Sequence, residues 1–309
     1  MPGPACSLLS LVLLAQAAPG STPTPPAETP DYVRSFHRGD YPAARTLAAK
    51  RLEACPADMS ARILLARAEA AMGRFDAAYA GFQEAQRREP RNADALYYLG
   101  VTAGVLAQVE YDRLLAMAPG SARAHQLRGQ TYEAQGRKAD AEAEFEAALA
   151  AGPPSAEVLV ALADLERTGL AFDEAREHYV KALELAPSSY DAHYGLGVCD
   201  SYAGEHAKAI ESFRRALRVA PDSAPALLAL GISLLQTGQA AAAVTELKEA
   251  AKLEPGMRQA YYQLGRAYQL LGRPSESEAA FARARELLEQ EHRADRARRD
   301  LDPEREPRE

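Results

Sequence analysis

The sequence of 309 residues has no tryptophan, only three cysteines and no excess of positive charge. Its formal net charge of −7 gives no electrostatic basis for binding nucleic acid or an anionic membrane surface. Cys55 and Cys199 lie far apart and belong to no CxxC pair. Lone thiols of this kind are more typical of buried small residues than of a disulfide framework or a zinc site. We therefore expect protein rather than nucleic acid as the partner.

Motifs of the common enzyme classes are missing as well. The sequence contains no HExxH, no GxSxG and no glycine-rich phosphate loop. One group of reactive residue types, Cys199, Asp200, Glu205 and His206, falls in a short stretch and needs an explanation. Alanine is plentiful throughout the chain, and because it is the best helix former and takes little space, closely packed helices are expected.

The N-terminal residues have the order of a secretory leader. A short apolar run, Leu8 to Ala18, contains the cleavage-type triplet Ala15-Gln16-Ala17 and is followed by a Pro/Thr-rich stretch from Pro19 to Pro30. This order predicts a signal peptide over residues 1–17, a linker over 18–30, and a periplasmic or secreted protein without an integral membrane span. Residues 1–7 lack the usual Lys or Arg, so a misplaced start or an uncleaved anchor is the alternative.

A period of about 34 residues runs through the chain. It is marked by prolines at equal spacing, except that the interval from Pro90 to Pro119 is shorter than the others. The prolines are Pro56, Pro90, Pro119, Pro153, Pro187, Pro221 and Pro255. A fixed period of this length is typical of a repeat architecture.

Other positions keep the same register as the prolines. Twelve residues before each proline stands an alanine, such as Ala141, and eight before most of them a large side chain, such as Phe145. A glycine recurs in mid-unit at Gly73, Gly136, Gly169, Gly204 and Gly238. The pattern predicts two amphipathic helices per unit: the glycine closes the first helix in a left-handed conformation, and the proline ends the second.

On these residues the chain resembles the tetratricopeptide repeat family. The resemblance implies an all-α, right-handed superhelical solenoid over residues 31–291, in which each unit covers an apolar face of the next. A divergent first unit is expected over 28–58. The others are expected at 59–92, 93–121, 122–155, 156–189, 190–223, 224–257 and 258–291.

Two units depart from the pattern. Unit 93–121 is five residues short between Gly104 and Ala107, where the turn belongs, so its helices either join abruptly or fuse into one. In the last unit Ser277 replaces the small alanine and Glu289 replaces the proline. These changes predict that the final helix continues, with residues 292–309 forming its polar capping end and a charged tail.

The register explains the group of reactive residue types. Cys199 occupies a position where the first helix of a unit faces its neighbours, while Glu205 and His206 follow the mid-unit Gly204 in a turn. Nothing in the register holds a thiol and an imidazole together as ligands. We therefore predict no catalytic residues, no metal, no cofactor and no enzymatic activity.

The resemblance also implies a concave groove lined by the first helices. Its tyrosines could instead pack along a helix seam, and the Lys/Asn pair of the family's chaperone-tail clamp is missing. Transferred by register, the predicted groove contains Tyr97, Gln126, Gln130, Asp164, Arg167, Tyr194, Tyr202, Leu228, Ile232, Tyr262 and Arg266.

Two function classes fit these features. The first is a non-enzymatic interaction scaffold of the bacterial cell envelope that binds a peptide or protein segment in the groove. The second is an accessory subunit of an envelope enzyme or of a secretion or polysaccharide-export complex. A catalytic protein with an attached array is rejected, because the leader and the repeats leave no stretch long enough for a further domain. The sequence predicts neither the partner's identity nor the oligomeric state.

Overall fold

The structure, a computed structural model, describes residues 29–301 and forms two compact units over that range. The described residues form helices and turns without a strand. The predicted signal peptide, linker residues 18–28 and tail residues 302–309 lie outside them. The predicted all-α solenoid of helix-turn-helix units is confirmed by this architecture.

The first compact unit, Met1–Pro119, contains five helices in its described part. They are α1 (Asp31–His37), α2 (Tyr41–Ala54), α3 (Met59–Ala71), α4 (Phe75–Arg88) and α5 (Ala93–Met117).

The second compact unit, Gly120–Glu309, contains five helix pairs in its described part. Their helices are α6 (Ala122–Ala134), α7 (Lys138–Ala150), α8 (Ala156–Thr168), α9 (Phe172–Leu185), α10 (Tyr190–Tyr202), α11 (His206–Val219), α12 (Ala224–Gln236), α13 (Ala240–Leu253), α14 (Arg258–Leu270) and α15 (Pro274–Leu301).

Each pair is held together by a large side chain that packs against a small residue. A Cβ added to Gly197 in α10 would lie 2.7 Å from the ring of Phe213 in α11, and one added to Gly231 in α12 would lie 2.6 Å from Leu247 in α13. Phe213 and Leu247 are almost fully buried. The small residues of the repeat thus make room for a side chain from the second helix, sixteen positions later.

The turn between the two helices of a pair uses a left-handed residue. Gly204 has φ 76°, and the amide of Glu205 donates to the carbonyl of Asp200 at 2.8 Å, which closes the end of α10. In the unit 156–189 the sequence places the glycine at Gly169. The structure corrects that assignment: Leu170 takes the left-handed conformation with φ 67°, while Gly169 has φ −83°.

Replacing Leu170 with glycine is expected to raise the free energy of unfolding by about 1 kcal/mol, because a left-handed conformation costs a β-carbon-bearing residue about that much. Little packing is lost, since Leu170 is 68% exposed. Denaturant unfolding of Leu170→Gly measures the change, and Gly204→Ala, which introduces a side chain at φ 76°, should lower stability. A lower midpoint for Leu170→Gly would contradict this interpretation.

In the short unit 93–121, the two predicted helices are fused into one. α5 spans 25 residues, and the turn that the other units form is replaced by continuous helix. At the C-terminal end, α15 likewise runs on through Leu301, past the position where the earlier units carry their proline.

Candidate partner-binding surface

The first helices of consecutive repeats lie side by side in the second compact unit. α8 contacts α10, α10 contacts α12, and α12 contacts α14. Ten of the eleven predicted groove residues belong to this unit, and the eleventh, Tyr97, belongs to the first, where it is exposed and edge-on to Tyr98.

Two tyrosines on these helices are open to solvent on rings that support them. Tyr202, at the end of α10, is 67% exposed, and its ring stacks on Phe172 with 3.9 Å between centroids. Tyr262 on α14 is 48% exposed and packs edge-on against Phe281 at 5.6 Å. In both tyrosines, one part of the ring packs against a phenylalanine and the rest of the ring is exposed to solvent.

α12 lies between the helices that carry these two tyrosines and contributes half-buried apolar side chains. Leu228 packs against the core that contains Phe213 and Leu247, and Ile232 is also half-buried. Tyr194 on α10 is more enclosed than the sequence suggested: its ring stacks on Tyr190 at 5.9 Å and tilts against Phe213 at 5.8 Å. The ring of Tyr194 therefore packs between helices as well as lining the surface.

Asp164 and Arg167 are engaged with a buried tyrosine. The Tyr179 hydroxyl donates to Asp164 Oδ1 at 2.8 Å, and Arg167 donates to the same carboxylate at 2.8 Å and to the Tyr179 oxygen at 3.1 Å. Tyr179 is fully buried, and burial, with the nearby Asp164 charge, raises its pKa well above the usual range. The two groove residues are thus half-buried members of a structural network.

The remaining polar residues divide into enclosed and open ones. Gln126 is buried, contrary to its placement in the groove: it accepts from Arg123 at 2.6 Å and donates to Glu157 at 3.2 Å. Gln130 is exposed. Arg266 is half-buried and donates to Gln263 at 3.2 Å.

The residues of the 199–206 group are separated by the fold. Cys199 is 1% exposed, and burial raises the pKa of its thiol to about 11, which keeps it protonated and a poor nucleophile at neutral pH. Asp200 is buried and forms an ion pair with Arg176 at 3.0 Å. His206 is the first residue of α11, and its Nδ1 lies 3.5 Å from Ser201 Oγ. Within residues 29–301 no group of three or more His, Cys, Asp or Glu side chains is arranged to hold a metal ion.

Comparisons with known families agree on one type of repeat. Two models of the tetratricopeptide repeat match residues 63–103 and 122–165, and the model of the middle TPR-like domain of cilia and flagella-associated protein 70 matches residues 159–290. The chain is a tetratricopeptide repeat protein. Its repeats make it a scaffold for protein interaction.

Solved structures show the same fold for part of this tetratricopeptide repeat protein. A crystal structure of MamA aligns with TM-score 0.50 and 25% identity over 53% of this chain and 96% of that one. MamA from Desulfovibrio magneticus RS-1, from residue 41 to its end, aligns with TM-score 0.52 and 18% identity over 55% of this chain and 96% of that one. None of the curated proteins matches the chain. Within residues 29–301, every helix is either too short or too polar to span a bilayer.

A feature of these repeats that the sequence analysis missed is a buried or half-buried acid near the end of the first helix. Glu69, Glu166 and Asp200 share one register position, and each is paired with a cation or an imidazole. Glu69 lies 2.5 Å from Arg45, Glu166 lies 2.8 Å from His178, and Asp200 lies 3.0 Å from Arg176. The recurrence of an acid at this position, eleventh in the unit, was a signal that could have identified it.

The buried acid at residue 200 makes stability depend on pH. Burial raises the pKa of Asp200, although Arg176 partly opposes the shift. The folded protein therefore binds this proton more tightly than the unfolded chain does, and this contribution to stability is complete below the unfolded pKa near 3.8 and lost as pH rises through the folded value.

Replacing Asp200 with asparagine is expected to flatten the fall of unfolding free energy above pH 4, because the amide mimics the protonated acid at every pH. Denaturant unfolding of both proteins between about pH 4 and 7 measures the slope. An equal or steeper fall in the Asp200→Asn variant would show that the Arg176 ion pair outweighs the burial of the charge.

Proposed function

We propose that this tetratricopeptide repeat scaffold binds a partly apolar segment of a protein partner against the first helices α10, α12 and α14. The observation that carries the proposal is the pair of supported, solvent-exposed rings of Tyr202 and Tyr262, with half-buried Leu228 and Ile232 on the helix between them. Exposed apolar side chains on helices that lie side by side are a common mark of a contact site.

The side chains of this surface suit a segment that is bound with little sequence selectivity. Tyrosine offers a broad apolar face and a polar hydroxyl, and it loses little conformational entropy when bound. Exposed Gln236 and Gln269, at the ends of α12 and α14, carry amides that can both donate to and accept from a peptide backbone. Recognition would then rest on stacking and backbone contacts.

The cellular site of this binding is also a proposal. The leader-like order of residues 1–30, with its apolar run and cleavage-type triplet, supports a partner in the periplasm or cell envelope. The binding proposal itself is tested by removing the two exposed rings while the fold is kept, with substitutions on the second helices as the control.

A further inference from the structure

α5 exposes a side chain that the repeat register buries elsewhere. Tyr111 stands eight residues before Pro119, where other units have Phe82, Phe145 and Phe213. Those three rings are at most 1% exposed, whereas Tyr111 is 46% exposed. The large side chain of unit 93–121 therefore lacks the packing that the same position receives in the neighbouring repeats.

The site that should receive this ring is also unfilled. Gly100 is the eighth residue of its unit, as are Gly129 and Gly197, where an added Cβ would lie 2.6 and 2.7 Å from a phenylalanine ring. At Gly100, no neighbouring atom of the described residues lies within 4 Å of that point. One turn earlier, Leu96 is 46% exposed.

These residues form one stripe along α5. Successive members are three or four positions apart, so they share one face of the helix, and none of them is buried. The stripe consists of Leu96, Gly100, Ala103, Ala107, Tyr111 and Leu114.

The ring cannot reach its site within a straight helix. Gly100 and Tyr111 are eleven residues apart, which is about 16 Å along the axis of α5. In the other units a turn brings the second helix back onto the first, and it is the segment of that turn that unit 93–121 lacks. Loss of a hinge loop is a known route by which a chain exchanges an element with a second copy of itself.

We propose that two copies of this chain pair through α5 in opposite directions, so that Tyr111 of each fills the space over Gly100 of the other. The exchanged packing reproduces between chains the contact that Gly197 and Phe213 make within one chain. The pairing is symmetric, as a two-fold dimer requires, because the ring and the glycine lie on the same stripe at either side of its centre.

The stripe is long enough for such a dimer. From Leu96 to Leu114 it extends about 27 Å. Three large side chains (Leu96, Tyr111 and Leu114) and three small residues from each copy, with the residues that flank them, would bury on the order of 1,000 Å², which is at the lower limit for a specific interface. We therefore expect a reversible dimer at micromolar protein concentration.

Light scattering of the full chain during size-exclusion chromatography is expected to give twice the mass of one chain. Gly100→Ala should raise the dimer dissociation constant at least about thirtyfold, because its Cβ would occupy the space of the ring, as should Tyr111→Ala, which removes the ring. Val109→Ala, an exposed apolar substitution on the opposite side of α5, is the matched control and should leave the mass unchanged.

Restoring the turn gives a further test that does not weaken the contact itself. Copying the sequence of residues 135–139 between Val105 and Leu106 returns the unit to the length of its neighbours, so its second helix can fold back and the protein should become monomeric. A monomeric wild-type chain, a Gly100→Ala protein that remains dimeric, or a dimer that survives the insertion would each overturn the proposal. Circular dichroism confirms that every variant is folded.

Discussion

Replacing Tyr202 and Tyr262 together with serine is expected to weaken peptide binding by about thirtyfold or more. Removing an aromatic anchor from an interface costs about 2 kcal/mol or more, which corresponds to that factor. The rings are backed by Phe172 and Phe281 but exposed on their outer faces, so a partner segment can stack on them without rearrangement. The fold should persist, because neither ring is buried.

The probe is a peptide selected against the wild-type protein from a displayed library of random sequences, and the measurement is its Kd by calorimetry. Val219→Ser with Leu253→Ser is the matched control, since both residues are exposed apolar side chains on second helices, α11 and α13. Unchanged affinity in the folded tyrosine variant would refute the assignment of the site. An equal loss in the control would place the contact on the second helices.

Replacing Gly195 with alanine is expected to lower the free energy of unfolding of the second compact unit by about 3 kcal/mol, because the added methyl group overpacks a closed site. The new Cβ would lie 2.2 Å from Cζ of Tyr179 and 2.5 Å from its hydroxyl oxygen. The ring cannot move away easily, because it is fully buried and its hydroxyl is held by Asp164 and Arg167.

Three contributions determine this loss of stability. Overpacking costs about 1–3 kcal/mol, and a weakened hydrogen bond to the Asp164 carboxylate costs about 1.5–3 kcal/mol. The gain in helix propensity from glycine to alanine offsets about 1 kcal/mol. Gly256→Ala, where no described neighbouring atom lies within 4 Å of the added Cβ, should change stability by less than about 0.5 kcal/mol. Equal denaturation midpoints for Gly195→Ala and the wild type would contradict the close approach of Tyr179.

The sequence by itself determined the repeat architecture. Prolines, small residues and glycines recur because every unit meets the same local requirements: a helix must end, a ring must fit against a glycine, and a turn needs a left-handed residue. It also predicted that Cys199 lies where a first helix faces its neighbours and that His206 lies apart from it in the turn after Gly204; in the structure His206 is instead the first residue of α11.

Only the tertiary structure decided the side-chain contacts and the local backbone conformations. Asp164 and Arg167, both predicted to line the groove, form hydrogen bonds with the hydroxyl group of Tyr179. A register alignment cannot show that a side chain is bound to another residue in this way. Leu170 is left-handed because it is the fifteenth residue of its unit, the position that Gly136 and Gly204 hold in theirs, and only the structure showed that a leucine takes φ 67° there while Gly169, one residue earlier, does not. In the short unit, the local sequence allowed either a turn or a helix. The structure forms continuous helix because, without the turn segment, the backbone groups in the middle of the unit keep their hydrogen bonds within α5.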